Sequence, residues 1–122
     1  MDVKAIQEYL NEHELDGWLL ADFHGRNDIA IKLLGIEGFV SRRSFYFIPG
    51  QGEPIALVNP LEKTRFTHLP GQIIECFGYK NLEAELRSVL NGKRRVAMEY
   101  SPNGRLPYVG LVDAGTIELV RG

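Results

Sequence analysis

The sequence is poor in cysteine. Its single thiol, Cys76, excludes an internal disulfide, and that usage fits a cytoplasmic location. Long apolar runs are absent too: none approaches the ~20 residues of a membrane span. The opening stretch MDVKAIQEYLNEHE is polar and acidic, unlike a secretory leader or a transit peptide. Neither sign of charge dominates. Fourteen Lys and Arg face 16 Asp and Glu, leaving −2. Nucleic-acid binders carry a basic excess, so neither a nucleic-acid partner nor a membrane partner is expected. The three histidines, His13, His24 and His68, are scattered. None has the spacing that sets two metal ligands on one helix face. Phosphate-cradling glycine motifs and internal repeats are missing as well. What remains is an ordinary globular composition, 44% apolar and 25% charged over 122 residues. That predicts one domain, residues 1–122, with its own core.

The pattern along the chain predicts alternating elements. Val3, Ile6, Tyr9, Leu10 and His13 share one helical face, with Asp2 as a cap and a helix from Val3 to Glu14. Asp16-Gly17 breaks it, and Trp18 to Ala21 reads as a buried strand. After the polar loop Asp22 to Asn27, Asp28 is expected to cap a helix closed by Gly35. Ser44 to Ile48 and Pro54 to Val58 read as a hairpin across a Gly-containing turn. A short helix is expected over Leu61 to Phe66 and a strand over Gln72 to Phe77. Asn81 is then expected to cap a helix over Leu82 to Leu90. Arg95 to Glu99 reads as a strand, Leu106 to Asp113 as a helix, and Thr116 to Val120 as a last strand. Together these give an α/β fold, a mixed six-stranded sheet with helices on both faces.

Several residues carry possible chemistry. Cys76 lies beside Phe77 in an apolar strand, where a thiol is ordinarily inert core. Asp22, Glu62, Glu99 and Asp113 are carboxylates at strand ends or on short helices. A set of them converging would suit a metal-dependent nuclease of ribonuclease H type. The neutral charge balance opposes that reading. The loop Phe23 to Asp28 is the densest polar cluster, with His24, Arg26, Asn27 and Asp28 at a strand's C-terminal end, where α/β folds place ligands. Arg42 and Arg43 add positive charge, and a planar guanidinium suits a carboxylate. Helix capping and solvation account for the same residues. A free-standing domain that binds a small molecule or a partner is a further reading.

In their order, these segments resemble the N-terminal domain of the creatinase, prolidase and aminopeptidase P family of pita-bread metallopeptidases. Asp16-Gly17-Trp18-Leu19-Leu20, the run from Asn27 to Ile36, Arg43 to Pro49 with Gly52-Glu53-Pro54 and Ile55 to Val58, and Arg95-Val96-Ala97-Met98-Glu99 each look like one family segment. Lys32-Leu33-Leu34 departs from the family's aromatic-rich stretch. The resemblance implies a ribonuclease H-like mixed sheet without nuclease activity. It implies no catalytic and no metal-ligating residue here. A divalent metal (manganese, cobalt or zinc) is expected in a separate C-terminal catalytic domain, and the chain reads as a domain cut from a longer protein. Implied partners are that catalytic domain, a second copy in a homodimer or higher oligomer, and a short proline-containing peptide substrate. Asp28, Arg26, Asn27 and Arg43 are the residues implied in substrate gating or binding.

Overall fold

A computed structural model describes all residues, Met1–Gly122. Helix α1 (Val3–Glu12) is capped by Asp2, whose side chain accepts from the Ala5 N–H. Strand β1 (Gly17–Asp22) follows, then α2 (Asp28–Leu34). The cap of α2 is Asn27, one residue before the expected Asp28. Asn27 Oδ1 accepts from the Ala30 N–H, and Gly35 closes the helix in the left-handed region. Strands β2 (Ser44–Pro49) and β3 (Ile55–Val58) form the expected hairpin. A 3₁₀ turn (Pro60–Arg65) precedes β4 (Gln72–Glu75). Helix α3 (Tyr79–Leu90), β5 (Val96–Ala97) and α4 (Ala114–Arg121) complete the chain. No helix is long and apolar enough to cross a membrane.

The sheet has the order β4-β3-β2-β1-β5. β1 runs antiparallel to β2 and parallel to β5, and β3 runs parallel to β4. Alternation along the strands divides the core. Leu20, Tyr46, Ile48, Ala56 and Val58 pack with Leu10 of α1 and with Ala30 and Leu34 of α2. Leu19, Ala21, Phe45, Phe47 and Leu57 pack on the other face with Leu82 and Leu86 of α3. Burial on both faces explains why Ser44–Pro49 reads as a continuous apolar run. Gly17 is required at the start of β1, because a Cβ there would strike the Phe47 ring.

Five strands form, not six. The segment Thr116 to Val120 lies in α4, against the expected strand. Asp113 Oδ2 accepts from the Thr116 N–H at 3.0 Å and Oδ1 from the Thr116 hydroxyl at 2.7 Å. This cap sets the helix direction and outweighs the strand preference of Thr, Ile and Val. The expected helix Leu106 to Asp113 shrinks to one 3₁₀ turn (Pro107–Val109), ended at Gly110. Asn81 sits inside α3 and not at its cap. Its Oδ1 accepts from the Phe77 N–H ahead of the helix. β5 is short because the Met98 carbonyl accepts from the Tyr100 N–H at 2.8 Å, which turns the chain away after two paired residues.

Candidate functional site

The polar cluster at the end of β1 is organised by carboxylates that accept from the backbone. Asp22 is buried, and its Oδ2 and Oδ1 accept from the Gly25 N–H at 2.9 Å and the Asn27 N–H at 2.8 Å. His24 and Gly25 both take positive φ, so the chain reverses within the span of one side chain. Asn27 follows, 1% exposed. Besides capping α2, its Nδ2 donates to the Ala21 carbonyl at 2.8 Å and to Glu99 Oε1 at 2.6 Å. Glu99 Oε2 accepts from the Trp18 indole N–H at 2.6 Å. Burial pushes the Glu99 carboxyl above its ordinary range, and the two side-chain hydrogen bonds oppose that shift. The Glu99 carbonyl accepts from the N–H groups of Leu111 and Val112, which anchors the approach to α4.

Over this base lies a cleft of about 610 Å³ between the ends of β1 and β2 and helix α4. Arg26 and Arg43 both line it, over a floor that includes Phe45 and Leu119. The Arg26 guanidinium stands 5.4 Å from the Phe23 ring centroid, and that of Arg43 stands 5.6 Å from Phe45. Such stacking holds a guanidinium plane in place while leaving its N–H donors free for a planar anion. Arg43 Nη2 makes one long bond, 3.5 Å, to the Thr116 hydroxyl. Asp113 also lines the cleft. Its carboxyl is held below the usual range, chiefly by the Thr116 hydroxyl and to a smaller extent by the Arg43 charge. The cleft sets the two guanidinium groups among three carboxylates, Asp22, Glu83 and Asp113, over a partly apolar floor, and the guanidinium N–H donors suit a ligand carboxylate.

Of the four residues singled out from the sequence, Arg26 and Arg43 therefore meet in one cleft. Their meeting follows from register, since Asp22 pairs with Ser44 and brings the two loops side by side. Asn27 lies beneath, committed to internal hydrogen bonds. Asp28 is exposed at the first position of α2 and is not among the residues lining the cleft. Arg42 is exposed, and its backbone is pinned by buried Glu62, which accepts from the N–H groups of Ser41 and Arg42.

The Trp18–Glu99–Asn27 network is missing from the sequence reading. Its partners lie 81 and 72 positions apart, and no spacing rule reaches that far. Asp22 and Glu99 are occupied as acceptors, and no group of three or more His, Cys, Asp or Glu side chains is placed to hold a metal ion. The converging acids that a nuclease requires do not form. Cys76 is 3% exposed, and burial raises its thiol further from ionisation, as expected of an inert core residue.

No protein-family model matches the sequence, and no curated protein matches it. Solved structures do match in shape. The N-terminal domain of a Xaa-Pro dipeptidase from Lactobacillus brevis superposes with a TM-score of 0.73 at 15% identity, covering 98% of this chain and 85% of that one. The creatinase/prolidase N-terminal domain of an X-Pro dipeptidase from Streptococcus pyogenes gives 0.70 at 15% identity, with 98% and 89% covered. The prolidase from Pyrococcus horikoshii OT3 gives 0.64 at 18% identity. There the match covers 98% of this chain but only 28% of the longer protein. The motifs that resembled this family in sequence thus lie in the expected architecture, with one strand fewer. The chain has the fold of the creatinase/prolidase N-terminal domain.

Proposed function

We propose that the chain serves as the non-catalytic N-terminal domain of a Xaa-Pro dipeptidase-like metallopeptidase in the cytoplasm, contributing oligomer contacts and substrate gating. The observation that supports this most is the match over nearly the whole chain to excised N-terminal domains of such dipeptidases. In this reading Arg26 and Arg43 offer charge to the carboxylate of a short proline-containing peptide at the mouth of a neighbouring catalytic domain. Asp28 flanks Arg26 in sequence, and Asn27 holds the Arg26 loop in place. Divalent metal chemistry, with manganese, cobalt or zinc, belongs to that catalytic domain. No group of three or more His, Cys, Asp or Glu side chains in this chain is placed to hold a metal ion.

The test is direct. The purified 122-residue chain, supplied with Leu-Pro and manganese or cobalt, should release no proline. Turnover that tracks the chain through successive purification steps would overturn the non-catalytic assignment. Joined to a catalytic domain, Arg26→Gln and Arg43→Gln should raise KM with little change in kcat. Unchanged KM in both would remove the gating role.

A further inference from the structure

Glu99 is 4% exposed, yet both of its side-chain partners, the Trp18 indole and the Asn27 amide, are neutral. Buried carboxylates are ordinarily matched by a cation, because two neutral donors replace only part of the lost hydration. The backbone N–H groups of Ala21 and of Glu99 itself add to those two donors, and no cation is among its partners. Beside Glu99 lies a pocket of about 400 Å³, within the ~300–1,000 Å³ span usual for small-ligand sites. It is a different cavity from the arginine cleft. Glu99 is the one charged residue of its lining, and the rest is apolar or aromatic, with Ile6, Leu10, Trp18, Ile29 and Met98 among them. Tyr9 and Val109, which also line it, reach solvent.

We propose that this pocket binds a small primary ammonium carried on an apolar body, with Glu99 as its counter-charge. The apolar part leaves water against the aliphatic walls. The ammonium supplies the positive charge that Glu99 lacks, in a pocket whose lining includes the aromatic side chains of Trp18 and Tyr9. An apolar carboxylate of equal size would meet like charge, and a neutral alcohol would leave Glu99 uncompensated. Such a ligand binds this chain alone, whether or not the peptidase reading holds.

Trp18 is the only tryptophan, so its fluorescence reports the pocket directly. The chain is titrated with n-hexylamine, protonated at pH 7 as a lysine side chain is. Hexan-1-ol, sodium hexanoate and ammonium chloride are run in parallel. The amine should give a saturable change, with half-saturation at least about tenfold lower than for the alcohol. Hexanoate and ammonium should give none. No saturable response to the amine, or equal affinity for amine and alcohol, overturns the proposal. Glu99→Gln should abolish the preference for amine over alcohol, and a folded variant that keeps the preference also overturns it. Should Glu99→Gln fail to fold, Val109→Phe fills the pocket from a solvent-reaching position and leaves the Glu99 hydrogen bonds intact. It should weaken the amine response with circular dichroism unchanged, and undiminished amine binding in this variant overturns the proposal.

Discussion

Two carboxylates tie β5 to β1, one at each end, and they work in opposite media. Just before β1, Asp16 Oδ2 accepts from the N–H groups of Arg94 and Arg95 at 2.6 and 3.0 Å, at the solvent edge. Just after β5, Glu99 accepts from Trp18 of β1 and from Asn27, out of water. The pKa of Asp16 is lowered, first by the Arg95 and then by the Arg94 backbone N–H. That of Glu99 is raised by burial. β5 pairs through only two residues, too few for a ladder to hold it alone. The comparison shows side-chain carboxylates replacing ladder bonds, with charge favoured at one end and penalised at the other.

The largest break in this arrangement should come from Asn27→Ala. It removes the α2 cap, worth about 1 kcal/mol, and strips a donor from both Glu99 and the Ala21 carbonyl, adding about 1–3 kcal/mol. Urea unfolding should show a loss of about 3 kcal/mol, and a midpoint within error of wild type would refute the hub role. Glu99→Gln comes next. Its amide nitrogen cannot accept, so one buried donor loses its partner at about 1–3 kcal/mol. The sign with pH is informative. A raised folded pKa means that the native state holds its proton longer than the unfolded state. The stability contributed by wild-type Glu99 is therefore full below the unfolded value near 4.5 and falls as pH rises through the folded pKa. The gap between wild type and Glu99→Gln should narrow with increasing pH over that range. A gap that widens would show that burial is not the governing cause.

The same hub marks where sequence reasoning stops. The hairpin was legible because Gly and Pro punctuate it and because Phe45, Tyr46, Phe47 and Ile48 are apolar on both faces. Arg26 and Arg43 stood out as residue types, but their shared cleft depends on the pairing of Asp22 with Ser44, which neither loop reveals. Trp18 and Glu99 meet only after the chain has folded. At the C-terminal end the failure was of a different kind, since the signal was present and misread. Thr116, Ile117 and Val120 favour a strand by propensity, but Asp113 three residues ahead of Thr116 is a helix cap. Asp113→Ala should therefore loosen α4 by about 1 kcal/mol, less than either change at the hub. Because the Thr116 hydroxyl chiefly lowers the Asp113 pKa, this contribution is present above the unfolded value of 3.8 and lost as pH falls through the folded one. Thermal unfolding at pH 7 and at pH 3 should show a clear difference from wild type in the first case and a smaller one in the second.

Asp16→Asn should have the smallest effect, because an exposed carboxylate exchanges protein donors for water at little net cost. Its value lies in its slope. The lowered pKa means that Asp16 stabilises the fold above the unfolded value of 3.8 and loses that contribution as pH falls through the folded one. The gap between wild type and Asp16→Asn should thus shrink on acidification, whereas the Glu99→Gln gap shrinks on the alkaline side. Added salt should narrow the Asp16 gap further, since Lys93 and Arg94 add charge attraction there. It should leave the Glu99 gap nearly unchanged, because the partners of that buried side chain are neutral and leave no charge attraction for salt to screen. Melting curves of both variants against pH, at two salt concentrations, decide the matter. Parallel slopes would mean that the two ends of β5 share one environment, contrary to the burial and hydrogen bonding that separate them.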